Sequence, residues 1–167
     1  MQWLPETSRR ASATLLLLCC LLVPLVAVGD EFTGRVVGIS DGDTISVLRD
    51  GKAVKVRLYG IDAPEKAQPF GTQARKFTSE RAIQQTVTVV YRSTDRYGRL
   101  IGEVVLPYGQ NLGQEVVRMG LAWWYAQYAP KDETLFLLEA EARLAKRGLW
   151  ADAHPIPPWL WRKGSRD

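Results

Sequence analysis

Histidine is nearly missing from this chain: His154 is the single copy in 167 residues. That excludes multi-histidine zinc sites and nucleophile–histidine triads before any motif is read. Cysteine is almost as scarce, and both copies, Cys19 and Cys20, lie in one apolar run near the N-terminus. No internal repeat or low-complexity block is present. The charged fraction of 24% is that of an ordinary globular chain, which argues against long disorder, coiled coil or collagen. Neither sign of charge dominates: 22 Lys+Arg against 18 Asp+Glu give a formal +4, with a pI near 9.2. Such an excess is compatible with a polyanionic partner without requiring one. The length favours one domain around one core.

The one long hydrophobic run is Thr14 to Val28, interrupted only by Pro24. It is shorter than the roughly 20 residues that span a bilayer. Arg9 and Arg10 precede it, and Ala27-Val28-Gly29 follows with the small residues that a signal peptidase reads. The pattern predicts an export signal cleaved before Asp30, to the periplasm or the medium, with an uncleaved N-terminal membrane anchor as the alternative. The chain then divides into a signal over 1–29, a domain over 30–150 and a Pro/Trp-rich basic tail over 151–167. Without Arg9, Arg10 and Glu6 the charge falls to +3, and no cysteine remains. The exported protein is thus expected to lack disulfides and thiolate chemistry, in a compartment where disulfides would persist.

The N-terminal half alternates apolar and polar residues. Phe32–Ser40, Asp43–Arg49 and Lys52–Gly60 read as strands, punctuated by Asp41-Gly42 and Asp50-Gly51. Asp-Gly between alternating runs favours a two-residue type I′ hairpin. That turn sets a register in which Arg49 faces Lys52, Val47 faces Val54, Ile45 faces Val56 and Asp43 faces Leu58. Gly71–Gln85 reads as a weakly amphipathic helix, Thr86–Tyr91 and Leu100–Leu106 as strands, and Asn111–Trp123 and Lys131–Trp150 as helices. The order β-β-β-α-β-β-α-α predicts an α+β, mainly β domain: a five-stranded barrel of the OB type with three packed helices. The tail is expected to be extended, with Trp159 and Trp161 packed back on the domain.

Acidic residues gather in two short loops, Asp41-Gly42-Asp43-Thr44 and Ile61-Asp62-Ala63-Pro64-Glu65. In the hairpin register, Asp43 and Asp62 leave the sheet at the same rim. Asp43, Asp62 and the Ala63 carbonyl could supply three oxygen ligands to a hard cation such as Ca²⁺, with water and a substrate phosphate completing the shell. Each Asp is also an ordinary turn former. Arg57 on the third strand and Arg99 at the start of the fifth could clamp a phosphodiester at that rim. Strict alternation, however, puts Arg57 on the face opposite Asp43, so their convergence requires curvature or a bulge near the barrel mouth.

At this point a resemblance emerges. From about Thr33 to Trp150 the chain resembles the staphylococcal (micrococcal) nuclease family through ISDGDTISV, VRLYGIDAPE, PFGTQARKFT, the TDRYGR loop, MGLAWW and a last helix ending RGLW. The order and spacing of these motifs carry the likeness. It implies a monomeric Ca²⁺-dependent endonuclease acting on DNA and/or RNA by cleaving the 5′ P–O bond to leave 3′-phosphates. It also implies Asp43 and Asp62 as metal ligands, Ala63 as a carbonyl ligand where the family has Thr, and Asp41 as an acidic residue behind them. Glu65 matches the residue that positions or deprotonates water, and Arg57 and Arg99 match the catalytic arginines. Tyr97 matches a substrate-contacting tyrosine, and either Tyr125 or Tyr128 a second one. The loop from Glu65 to Phe70 is shorter than in the founding nuclease. The rival reading is a non-catalytic OB module that binds single-stranded nucleic acid through a basic groove and stacking aromatics.

Overall fold

Alternation in the N-terminal half builds a sheet that closes on itself. The structure is a computed structural model describing residues 30–164; the expected export signal lies outside the described residues. In chain order the elements are β1 (Asp30–Ile39), β2 (Thr44–Arg49), β3 (Lys52–Leu58), β4 (Ile61–Asp62), α1 (Gly71–Ala82), β5 (Thr86–Thr94), β6 (Leu100–Val105), α2 (Leu112–Arg118), β7 (Trp123–Trp124), α3 (Glu133–Leu144) and α4 (Pro158–Gly164). Strands run β1-β2-β3-β6-β5 around a closed barrel. Neighbours are antiparallel except β3 and β6, which are parallel.

The β2–β3 hairpin has the expected register, with Arg49 opposite Lys52, Val47 opposite Val54 and Ile45 opposite Val56. Its turn residues Asp50 and Gly51 both have positive φ, 50° and 75°, as a type I′ turn demands. Register shifts between Val36 and Gly38 in β1 and between Tyr91 and Ser93 in β5 are the bulges that bend long strands around a small barrel. Val36, Ile45, Val47, Val56, Val89 and Val104 point inward and are fully buried, each stabilising the fold by about 1.5–3 kcal/mol.

Helices close the barrel's ends, and here the structure differs from periodicity. The second helix was expected to reach Trp123; α2 stops at Arg118, and Gly120 (φ 68°) turns the chain so that Trp123–Trp124 pairs with Ile61–Asp62 instead. The third helix ends at Leu144, because Lys146 (φ 50°) and Gly148 (φ 54°) break it before a 3₁₀ turn over Gly148–Ala151. In place of an extended tail, residues 158–164 form a fourth, short helix. Trp159 does pack back: it meets Trp123 edge to face, 5.6 Å between ring centres, and stacks on Tyr125 at 5.0 Å with the planes 1° apart. Among the described residues no helix is long and apolar enough to cross a membrane.

Candidate active site

Both acidic loops come from turns that the barrel fixes. Ser40 N–H donates to the Thr44 carbonyl (2.9 Å), the Thr78 hydroxyl of α1 donates to the Gly42 carbonyl (2.7 Å), and Asp41 accepts from the Asp43 N–H (3.1 Å). Asp43 thus precedes β2 and is free of its alternation, which removes the difficulty of a side chain on the wrong face. The second loop follows β4, whose pairing with β7 holds Asp62 opposite Trp123.

Asp43 and Asp62 are buried, 2% and 0% exposed, and buried carboxylates persist only when bonded. Arg57 bridges them, donating from Nη1 to Asp43 Oδ1 (2.5 Å) and from Nη2 to Asp62 Oδ1 (2.6 Å). Asp43 also accepts from the Thr44 hydroxyl (3.1 Å) and, through Oδ2, from the Ala63 N–H (2.7 Å). Burial pushes the Asp43 carboxyl up to about 7 despite Arg57, with Asp41 and Asp62 adding to the rise. Burial works against the Arg57 charge too, but Asp43 and Asp62 outweigh it and hold the guanidinium above its ordinary range. The pocket therefore makes Asp43 give up its proton less readily than a free carboxyl. The ligand atoms its two carboxylates offer are oxygen, and among the described residues no third Asp, Glu, His or Cys joins them in a metal-binding group. Such a set suits a hard cation rather than a soft metal.

Glu65 sits at the opening of a tight loop. Gln68 N–H and Gly71 N–H close successive turns onto the Glu65 and Gln68 carbonyls (both 2.9 Å), and a Cβ on Gly71 would lie 1.9 Å from the Glu65 carbonyl oxygen. Only glycine permits that approach. Buried Gln68 accepts from the Glu65 N–H (3.1 Å) and donates to the Ile156 carbonyl (2.6 Å), tying this loop to the tail.

The structure adds an arginine that sequence reasoning missed. Arg162 of α4 donates to Asp62 Oδ2 (2.8 Å), to Asp62 Oδ1 (3.3 Å) and to Glu65 Oε1 (2.7 Å). One basic residue in a basic tail carries no periodic signal, and about 100 residues separate it from its partners, so only tertiary packing reveals it. Arg99, by contrast, is engaged by its own turn: Nε and Nη2 each meet Asp95 Oδ2 at 2.7 Å. Burial raises the Asp95 carboxyl, but bonds from Arg99 and Tyr97 together outweigh it and hold the group below its ordinary range. Arg99 also lies over the ring of Tyr97, which is 69% exposed. Of the two tyrosine candidates, Tyr125 feels the carboxylates: burial pushes its hydroxyl up and the Asp62 charge adds to the effect, while the hydroxyl itself donates to Gln127 Oε1 (3.4 Å). Tyr128 is exposed and packs edge to face on Tyr125. Beside them Trp123, Trp124, Tyr125, Arg143 and Trp159 line an open cleft of about 340 Å³.

Comparison with known proteins identifies the family of the chain. The family described as "Staphylococcal nuclease homologue" matches residues 55–152. An uncharacterized endonuclease of Escherichia coli O157:H7 is 51% identical over 132 residues, 79% of this chain and 86% of that protein. A micrococcal nuclease of Shigella flexneri is 40% identical over 156 residues, covering 88% and 90% of the two chains. With a closed five-stranded barrel, matching motifs and relatives alike over most of their length, the chain belongs to the staphylococcal nuclease family.

Proposed function

We propose that this protein is an exported, monomeric, Ca²⁺-dependent phosphodiesterase that hydrolyses DNA and/or RNA, breaking the 5′ P–O bond and leaving 3′-phosphates. The observation that carries the reading is one guanidinium, Arg57, bridging two buried carboxylates from separate loops, with Glu65 joined to the same cluster through Arg162. Asp43, Asp62 and the Ala63 carbonyl would hold the cation, and Asp41 fixes Asp43 from behind through its N–H. When bound, the cation supplies Lewis-acid neutralisation of a phosphate oxygen.

The remaining chemistry belongs to side chains. Glu65 orients a water toward phosphorus and takes its proton as the new P–O bond forms, while the bond to the 5′ oxygen breaks and that oxygen leaves as a hydroxyl, taking a proton from solvent water. Arg57 and Arg99 stabilise the charge that accumulates on the phosphoryl oxygens. Arg99 is preset for this by Asp95, which fixes its fork. Tyr97 and Tyr125 contact the substrate backbone, and the aromatic cleft beside Tyr125 offers rings for bases to stack on. Export rests on the basic, apolar and small-residue succession of the first 29 residues.

A nicking assay on plasmid, single-stranded DNA and RNA, titrated with Ca²⁺ and with Mg²⁺, tests the reading. Cleavage that appears with Ca²⁺ and disappears with excess EGTA is the expected result. Cleavage that survives full chelation overturns the cation assignment, and binding of DNA without turnover favours the non-catalytic OB module. N-terminal sequencing of protein recovered outside the cytoplasm should start at Asp30; a start at Met1 points to the uncleaved anchor.

A further inference from the structure

Every oxygen of the two buried aspartates already accepts at least one bond. Asp43 Oδ1 accepts from Arg57 and Thr44, and Asp43 Oδ2 from the Ala63 N–H. Asp62 Oδ1 accepts from Arg57 and Arg162, and Asp62 Oδ2 from Arg162. These donors differ in how firmly the fold holds them. Thr44 and Arg57 stand on paired barrel strands, and the Ala63 N–H is backbone. Arg162 stands on a seven-residue helix at the end of the described chain, its side chain 34% exposed, on an element whose one buried residue is Pro158.

A cation sharing Asp62 and approached by water from Glu65 would enter on the side of both carboxylates where Arg162 now bonds Asp62 Oδ2 and Glu65 Oε1. We propose that Arg162 is a displaceable counter-charge, and that α4 is a latch closing the acidic site with a guanidinium that competes with the divalent cation for Asp62 and Glu65. Both ligands satisfy the same demand: positive charge beside carboxylates that burial otherwise penalises. Besides the Arg162 pairs, the latch is seated through Trp159 on Tyr125 and Trp123 and, just before it, through Gln68 on the Ile156 carbonyl, and none of these is a pairing of the barrel strands. It can therefore exchange without loss of the barrel. The competition rests on the cation reading above and adds to it a cost of loading, since each cation bound must first free Asp62 from Arg162.

Calorimetric titration of CaCl₂ into the purified protein, without substrate, reads the competition directly. Arg162→Gln should tighten Ca²⁺ binding about tenfold, the size expected for losing two charge-assisted, partly solvated pairs of less than about 1 kcal/mol each. Arg162→Lys, which keeps the charge, should stay nearer the wild type. In the wild type, Ca²⁺ should also speed amide hydrogen exchange over residues 158–164 while leaving the barrel strands unchanged. Equal or weaker Ca²⁺ binding in Arg162→Gln, or exchange over 158–164 indifferent to Ca²⁺, overturns the competition alone. Absence of Ca²⁺ binding in both wild type and Arg162→Gln overturns the cation reading and the competition with it.

Discussion

Asp43 shows how one residue couples the site to the stability of the fold. Its carboxyl is raised from 3.8 to about 7, chiefly by burial, so between these values the folded protein holds a proton that the unfolded chain has released. The sign follows from linkage: with more protons bound in the native state, stability falls as pH rises from about 4 to about 7. The cation-free protein should therefore be more stable at pH 5 than at pH 8, by an amount on the order of a few kcal/mol. Urea unfolding of Asp43→Asn should show that difference shrink; an unchanged difference locates the effect elsewhere. Glu65 is a half-exposed carboxylate to which the proposed mechanism gives the water. Glu65→Gln should lower kcat by about 10²–10⁴ while calorimetry still finds cation binding. The loops that carry these two residues were legible in the sequence because turn chemistry and hairpin register are local, whereas the role of Glu65 comes from the family motif alone. The charge environment of Asp43 was not, because burial depends on what packs over the loop.

At the scale of elements, the β2–β3 hairpin was readable down to its register, since Asp50-Gly51 and the alternation of Ile45, Val47, Val54 and Val56 state the same answer twice. Helix ends were not. Apolar periodicity continues past Arg118 and Leu144, but Gly120 and Gly148 lie back to back: the Leu149 N–H donates to the Gly120 carbonyl (2.8 Å), and a Cβ on Gly120 would fall 2.2 Å from the Arg147 carbonyl oxygen. A long-range contact ends both helices, and no window along the chain contains it. Gly120→Ala combines that clash with a positive φ of 68° and should destabilise the fold by roughly 2–4 kcal/mol. Thermal unfolding should report the loss as a lower midpoint. Freed from α2, Trp123–Trp124 becomes the strand that holds Asp62, so an element boundary missed in the sequence turns out to position a site residue.

Over the whole molecule, the barrel and the tail have different standing. The barrel is closed by paired strands on every side, whereas α4 is seated on aromatic contacts and on the Arg162 pairs. Regions with little buried area open locally before the fold does. Trp159→Ala should accordingly raise hydrogen exchange over residues 158–164 and leave the amides of β2 and β3 protected; global loss of protection would show that the tail is part of the cooperative core. The sequence by itself determined the barrel, the hairpin register, the meeting of Asp43 and Asp62 at one rim and the family motifs, because turn residues, period-two alternation and motif spacing are encoded within short stretches of chain. Tertiary structure alone decided that Arg57 bridges both aspartates, that Arg99 is held by Asp95, and that Arg162 reaches Asp62 and Glu65 from the far end of the chain. Those pairings follow from burial and charge balance in a shared pocket, which exist only once distant segments have packed together.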